Sequence, residues 1–418
     1  MTGAHPTGVH IIGAGLAGLA AAVSLAAAGR MVTLYEAGPA AGGRCRSYFD
    51  RGLGCRIDNG NHLVLSGNRA VAGYLHQIEA RDALAGPAEP LFPFVDVASG
   101  ERWTVRPSRG RLPWWIFRAG RRVPATRARD YLKLLALRRA RDGDTVAALL
   151  DDGGALYKRL LEPLAIAALN TSPQTGLARL MDAVMRETLL RGGMACLPRY
   201  ARIGLSESFV DPALAWLAAR GGRLLTGRRV AGLRVEAGRV AALETPEGAA
   251  PVAAGESVVM ATSSPVAADL LPGLVTPDAF SAILNIHFAA EAPPGPAGFL
   301  GVLGGTAEWI FVRPGTVSVT VSAANELVDL PAETIAARVW PDVRAALALP
   351  EAMPAVRVVK ERRATFAATA AQDARRPGTR TALHNLVLAG DWTATGLPAT
   401  IEGAIRSGRA AADILLAQ

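Results

Sequence analysis

Apolar residues come in short runs broken by Gly and Pro, and the pattern is sharpest near the two ends of the chain. Val9–Ile12 is an uninterrupted apolar run that reads as a strand. An alanine-rich helix follows, and Met31–Tyr35 reads as a second strand ending in Glu36. Near the other end, Leu386–Ala389 repeats the apolar run and a helix begins near Ile401. In between, Ala213–Ala219 reads as a helix stopped by Gly221-Gly222, with strands expected at Arg223–Leu225, Arg228–Val235 and Val258–Ala261. Residues 128–141 (ARDYLKLLALRRAR) set apolar positions at helical spacing with cations on the other face. The stretch 9–28 is long and apolar, but it is rich in Gly and Ala and no basic segment precedes it. Both features argue against a membrane span or a signal peptide.

The link between the first strand and its helix is Gly13-Ala14-Gly15-Leu16-Ala17-Gly18. In that setting Gly13 permits a tight turn, Gly15 lets the backbone approach a pyrophosphate, and Gly18 allows close helix packing. The helix N-terminus offers unpaired N–H groups to phosphate. Glu36 lies 23 positions after Gly13, near the spacing of an acid that binds ribose hydroxyls. A carboxylate there repels a 2′-phosphate, which leaves FAD or NAD.

The next motifs decide between them. Gly42-Gly43-Arg44 follows the acid, then Asp58-Asn59-Gly60-Asn61-His62, and the C-terminal part reads NLVLAGDWTATGLPATIEGAIRSG. This order of motifs resembles the flavin amine oxidase and phytoene desaturase superfamily. The resemblance implies FAD as cofactor and an α/β fold, in which a discontinuous Rossmann-like FAD-binding domain carries an inserted α+β substrate domain. It implies that Gly390-Asp391 binds the ribityl chain and that the helix from Thr400-Ile401 points its N-terminus at the flavin, where its dipole stabilises reduced flavin. It places Ala37, Gly60, Asn61 and His62 in the cofactor site with the two glycine motifs, and the adenine near Arg229 and Val230.

A chain of 418 residues is too long for one ordinary core. The expected pieces are 1–75, 213–262 and 376–418 for FAD, and 76–212 and 263–375 for substrate. Three cysteines without a C-x-x-C spacing point to reduced thiols in the cytoplasm, and six scattered histidines suggest no metal site.

The net charge of +9 is unevenly spread. Residues 102–141 hold thirteen Lys or Arg and one acid, so the rest of the chain is net −3. The basic window is interleaved with Trp103, Trp114, Trp115, Ile116, Phe117, Tyr131 and several leucines. Aromatic residues with cations suit an anionic bilayer surface, giving peripheral contact at the inner face of the membrane. A solvated Arg-rich face over core tryptophans is the other reading. A Trp-Trp-Ile-Phe run is poorly suited to tracking phosphates, so nucleic acid is not an expected partner.

A membrane-docked enzyme calls for a lipophilic substrate. Residues 160–169, 181–197 and 299–311 are apolar and supply few charges to a pocket. The segments AAGGRCRS at 40–47, DNGNHL at 58–63, LEPLAIAALNTSP at 161–173 and the C-terminal string resemble the hydroxysqualene dehydroxylases of hopanoid pathways. That resemblance implies reductive removal of the hydroxyl of hydroxysqualene with reduced FAD. Protonation and loss of water leave a delocalised cation, which hydride then quenches to squalene. Trp309 and Phe311 are candidate aromatic faces for the cation, and His62 and Glu402 are candidate proton donors. A carotenoid-type desaturase, a flavin amine oxidase and an FAD-bound scaffold are the competing readings. No second dinucleotide fingerprint is present, so NAD(P)H is expected to reduce the flavin weakly or through a partner.

Overall fold

The computed structural model describes residues 8–418. Its first sheet is parallel and has five strands, in the order Arg223–Leu225, Met31–Tyr35, Gly8–Ile12, Ser257–Met260, Leu386–Leu388. Gly8–Ile12 is central. It pairs residue for residue with Met31–Tyr35 on one side, and Val9–Ile12 pairs with Ser257–Met260 on the other. A strand flanked on both sides and covered on both faces must be apolar throughout, which is why these runs do not alternate. The helix Leu16–Ala27 is buried along most of its length, between this sheet and the C-terminal helix Ile401–Leu416. An antiparallel sheet of Gly232–Glu236, Arg239–Thr245 and Gly248–Pro251 lies beside it.

The second large sheet has seven strands. Their order is Val356–Phe366, Phe280–Phe288, Thr316–Val321, Trp309–Arg313, Phe299–Leu303, Phe92–Asp96, Arg102–Val105. All neighbours are antiparallel except Phe299–Leu303 with Phe92–Asp96. One face packs on the helix Ala332–Leu347 through Leu284, Ile286, Phe288, Val317, Val319 and Ile310. Strand alternation sends their neighbours to the opposite face, and that face is divided. One half is polar, with Asn285, His287, Thr316, Ser318 and Thr320. The other half is aromatic, with Phe94, Phe299, Trp309 and Phe311.

The aromatic half is covered by short helices, among them Glu162–Leu169 and Ala178–Glu187. Asn170 ends the first of these in the left-handed conformation, with φ at 48°. Its amide donates to Ser281 O and Thr365 Oγ1 and its carbonyl accepts from Ala323 N, so the Asn170-Thr171-Ser172-Pro173 turn ties three parts of the sheet together.

Two sequence expectations need correction. The strand expected over Arg228–Val235 begins only at Gly232, because Arg228 N donates back to Glu36 O and turns the chain. Residues 128–139 form a 3-10 helix rather than the expected amphipathic α-helix. Tyr131, Leu134 and Leu137 are buried three positions apart, the period of a 3-10 helix, and the Tyr131 hydroxyl accepts from Val123 N. The tighter winding turns Leu132 and Leu135 to solvent.

Candidate functional site

The glycine turn closes as the spacing requires. Gly13 has φ at +101°, and its N–H donates to Tyr35 O across the sheet. Gly15 starts the helix Leu16–Ala27, and a Cβ built on Gly15 meets no protein atom within 4 Å. Gly18 is the opposite case, because a Cβ there falls 2.0 Å from Gly13 O. Gly15 thus borders open space, while Gly18 serves internal packing. Ala14, Leu16 and Ala17 are buried beneath the turn and offer backbone only.

Glu36 closes the next strand at the edge of this turn. Its carboxylate accepts from Ala14 N at 3.0 Å and from Gly38 N at 2.7 Å, so the acid is held in place by the loop it serves. Ala37 is exposed beside it. The segment before Val230 runs along the same corner, with Arg228 N on Glu36 O and Gly227 N on Gly38 O. Val230 is buried and the Arg229 side chain is exposed. Gly42 N donates to Ala14 O, which joins the two glycine motifs into one wall.

Arg44 comes from that second motif. Its Nη2 lies 2.7 Å from both carboxylate oxygens of Asp391, and its Nη1 donates to Ala364 O. The Asp391 carboxylate beside it raises the guanidinium pKa further above its ordinary value. Even with this pair formed, 43% of the Arg44 side chain stays accessible. Gly390 N donates to Ser407 Oγ, fixing the loop ahead of Asp391. Thr400 caps the C-terminal helix by accepting from Gly403 N at 3.0 Å. Other N–H groups of the first turn, from Ile401 onward, remain for a ligand. A cradle with an open glycine, a ribose-type carboxylate, an accessible guanidinium and a helix N-terminus fits a flavin dinucleotide.

Asn59, Gly60 and Asn61 join this cradle to the polar half of the seven-stranded sheet. Asn61 N donates to Asn285 Oδ1 at 3.2 Å, and Asn61 Nδ2 donates to Thr320 Oγ1 at 3.1 Å. Thr320 Oγ1 donates to Asn285 Oδ1, and Asn285 Nδ2 donates to Asn59 O. Asp58 is a structural anchor. It accepts from Ser47 Oγ, Leu205 N and Arg313 Nη1.

Burial pushes the His62 imidazole down to about 4, so it is neutral at physiological pH. Glu402 is buried and fully engaged. Its oxygens accept from Ala70 N at 3.0 Å and Val71 N at 2.9 Å, and Arg406 Nη2 donates to it at 2.7 Å. Asn68 makes no side-chain cap for the helix Arg69–Gln77, and Glu402 supplies one from a distant part of the chain.

Sequence reasoning missed Glu308. It precedes Trp309 and accepts from Ser322 N at 2.7 Å, and burial pushes its carboxyl up to about 7. A lone acid before a Trp-Ile-Phe run was the available signal. His287 was also missed. Its Nδ1 lies 2.7 Å from Ser318 Oγ, its buried Nε2 has no partner among the described residues, and burial lowers its pKa to about 4.

The model of the family described as flavin-containing amine oxidoreductase matches residues 16–292 and 302–416. The chain is 47% identical to a hydroxysqualene dehydroxylase of Sinorhizobium fredii, over 99% of both chains. It is 48% identical to one from Rhodopseudomonas palustris, over 98% of both chains. Among solved structures, an oxidoreductase from Methanosarcina mazei shares the fold with a TM-score of 0.75 at 16% identity, covering 97% of this chain and 100% of the other.

Proposed function

Because this chain belongs to the flavin-containing amine oxidoreductases, in the group of the hydroxysqualene dehydroxylases, we propose that it converts hydroxysqualene to squalene. The near-full-length similarity to hydroxysqualene dehydroxylases carries this reading, and the geometry agrees with it. The cofactor is FAD, and the enzyme is an FAD-dependent oxidoreductase. When bound in reduced form, FAD supplies the hydride.

The protein's residues hold and exclude. Glu36 would accept ribose hydroxyls, and the first turn after Thr400 would offer its N–H groups to the flavin. Arg44 and Asp391 fix the two halves of the cradle against each other. Asn61, Asn285 and Thr320 hold the strand junction between cradle and substrate sheet, and their polar atoms satisfy one another away from water. Beyond them Phe299, Trp309 and Phe311 offer apolar surface to a C30 chain and π faces to positive charge on carbon.

The reaction consumes one hydride and one proton, breaks the C–O bond and releases water. The leaving oxygen needs the proton. Glu308 is the residue we assign to that step, since its carboxyl is partly protonated at neutral pH and it directly precedes Trp309 of the aromatic half. A lipid substrate also implies peripheral contact with the cytoplasmic face of a membrane. Among the described residues no helix is long and apolar enough to cross one.

The reading is tested by incubating reduced holoenzyme with hydroxysqualene and analysing the extracted lipids. Squalene supports it. Unchanged hydroxysqualene, with desaturation of a phytoene-like polyene by the oxidised enzyme, replaces it with the desaturase reading.

A further inference from the structure

We propose that three separate segments form one face that docks on an anionic lipid bilayer. This rests on the lipid-substrate reading above and adds the surface and its composition. The segments are residues 109–118, the 3-10 helix Ala128–Arg139, and residues 189–194. They are packed together. Met194 N donates to Arg109 O and Gly193 N to Ser108 O, and the Trp115 ring meets the Tyr131 ring edge-on at 5.1 Å.

Each segment buries one side and presents apolar residues on the other. Trp115, Ile116, Tyr131, Leu134 and Leu137 are buried. Leu112, Trp114, Phe117, Leu132 and Leu135 are 55–64% exposed, and Leu190 and Met194 join them. The exposed set is therefore held on a rigid base. Large apolar side chains gathered this way on one face mark an interaction site.

Charge identifies the occupant. Arg109, Arg111, Arg118, Arg129, Arg138 and Arg139 are exposed on the same segments, and Asp130 is the one acid from 102 to 141. A Trp, Phe and Leu surface set among arginines matches the boundary between anionic headgroups and acyl chains. The buried sides belong to the same apolar cluster as Phe299, Trp309 and Phe311. The docking face is thus the outer side of the wall whose inner side is the aromatic half of the sheet, which suits a substrate drawn from the bilayer.

The test is co-sedimentation of holoenzyme with substrate-free phosphatidylcholine vesicles, with and without phosphatidylglycerol. Because no substrate is present, the outcome is independent of the reaction. Wild type is expected to sediment with the phosphatidylglycerol vesicles and far less with phosphatidylcholine alone. Two variants probe the face: Trp114→Ser with Phe117→Ser and Leu132→Ser, and Arg109→Glu with Arg111→Glu and Arg118→Glu. Each is expected to lower partitioning about a hundredfold, while FAD content and turnover of detergent-dispersed substrate stay at wild-type levels. Wild type that remains in the supernatant, variants that bind as wild type does, or preference for duplex DNA over vesicles overturns the proposal.

Discussion

Arg44 and Asp391 stand 347 positions apart and meet with one guanidinium nitrogen 2.7 Å from both carboxylate oxygens. The pair closes the cofactor cradle, because Arg44 belongs to the second glycine motif and Asp391 to the last strand's loop. Asp391 is 8% exposed, so its charge needs this partner. Asp391→Asn is expected to weaken FAD retention by roughly tenfold while the protein stays folded. Flavin release measured by fluorescence against FAD concentration checks it, and unchanged affinity contradicts it.

Gly15 and Gly18 separate cofactor contact from folding. Gly15→Val sets its Cβ where no protein atom lies within 4 Å, so the apoprotein is expected to fold with a near wild-type melting temperature and to purify without flavin. Gly18→Val collides with Gly13 O and is expected to lower the melting temperature itself. The ratio of flavin to protein absorbance, read beside the melting curve, distinguishes the two. A Gly15→Val protein with full FAD sinks the assignment of that space.

Glu402 is expected to stabilise the fold rather than take part in the chemistry. Glu402→Gln loses the charge that holds Arg406 and two backbone N–H groups. The expected loss is about 1–3 kcal/mol of stability, with kcat on folded enzyme unchanged. Denaturant midpoints and turnover at a permissive temperature test both halves. A large fall in kcat at unchanged stability returns Glu402 to the chemistry.

Glu308 predicts a pH profile with a definite sign. In the proposed role the carboxyl acts protonated, and burial raises its pKa to about 7, so turnover is expected to fall as pH rises through 7. Glu308→Gln abolishes that limb together with most activity. Stability follows the same linkage. A raised folded pKa means that the native state binds the proton more tightly, so stability is lost as pH rises from about 4.5 towards 7. Glu308→Gln is therefore expected to be the more stable protein at pH 8, by up to about 3 kcal/mol, and to show no such advantage at pH 4. A variant with wild-type turnover and profile removes Glu308 from the mechanism.

The cofactor half of the fold was readable because its physics is local. Met31–Tyr35 and Arg223–Leu225 occupy the residues that their apolar runs marked, and the C-terminal helix starts at Ile401 as expected. Continuous apolar strands, a turn that needs Gly13 and an acid at fixed spacing each leave a mark within a few residues. The seven-stranded sheet left no such mark. Its parallel pair, Phe92–Asp96 with Phe299–Leu303, joins residues about two hundred positions apart. The burial of Tyr131, Leu134 and Leu137 fits a helix until the packing against Trp115 selects the tighter winding. Glu402 read as a candidate proton donor, but its carboxylate caps another helix that only tertiary structure brings near. Glu308 left only the faint mark of a lone acid before Trp309, because its raised pKa comes from burial.

The central claim is dehydroxylation of hydroxysqualene by the reduced enzyme. The most direct measurement is an anaerobic single turnover, in which hydroxysqualene is mixed with dithionite-reduced holoenzyme freed of excess reductant. Flavin absorbance and lipid products are followed together. Recovery of the oxidised flavin spectrum, with one squalene formed per flavin, is the expected result. Flavin that stays reduced while hydroxysqualene persists contradicts it.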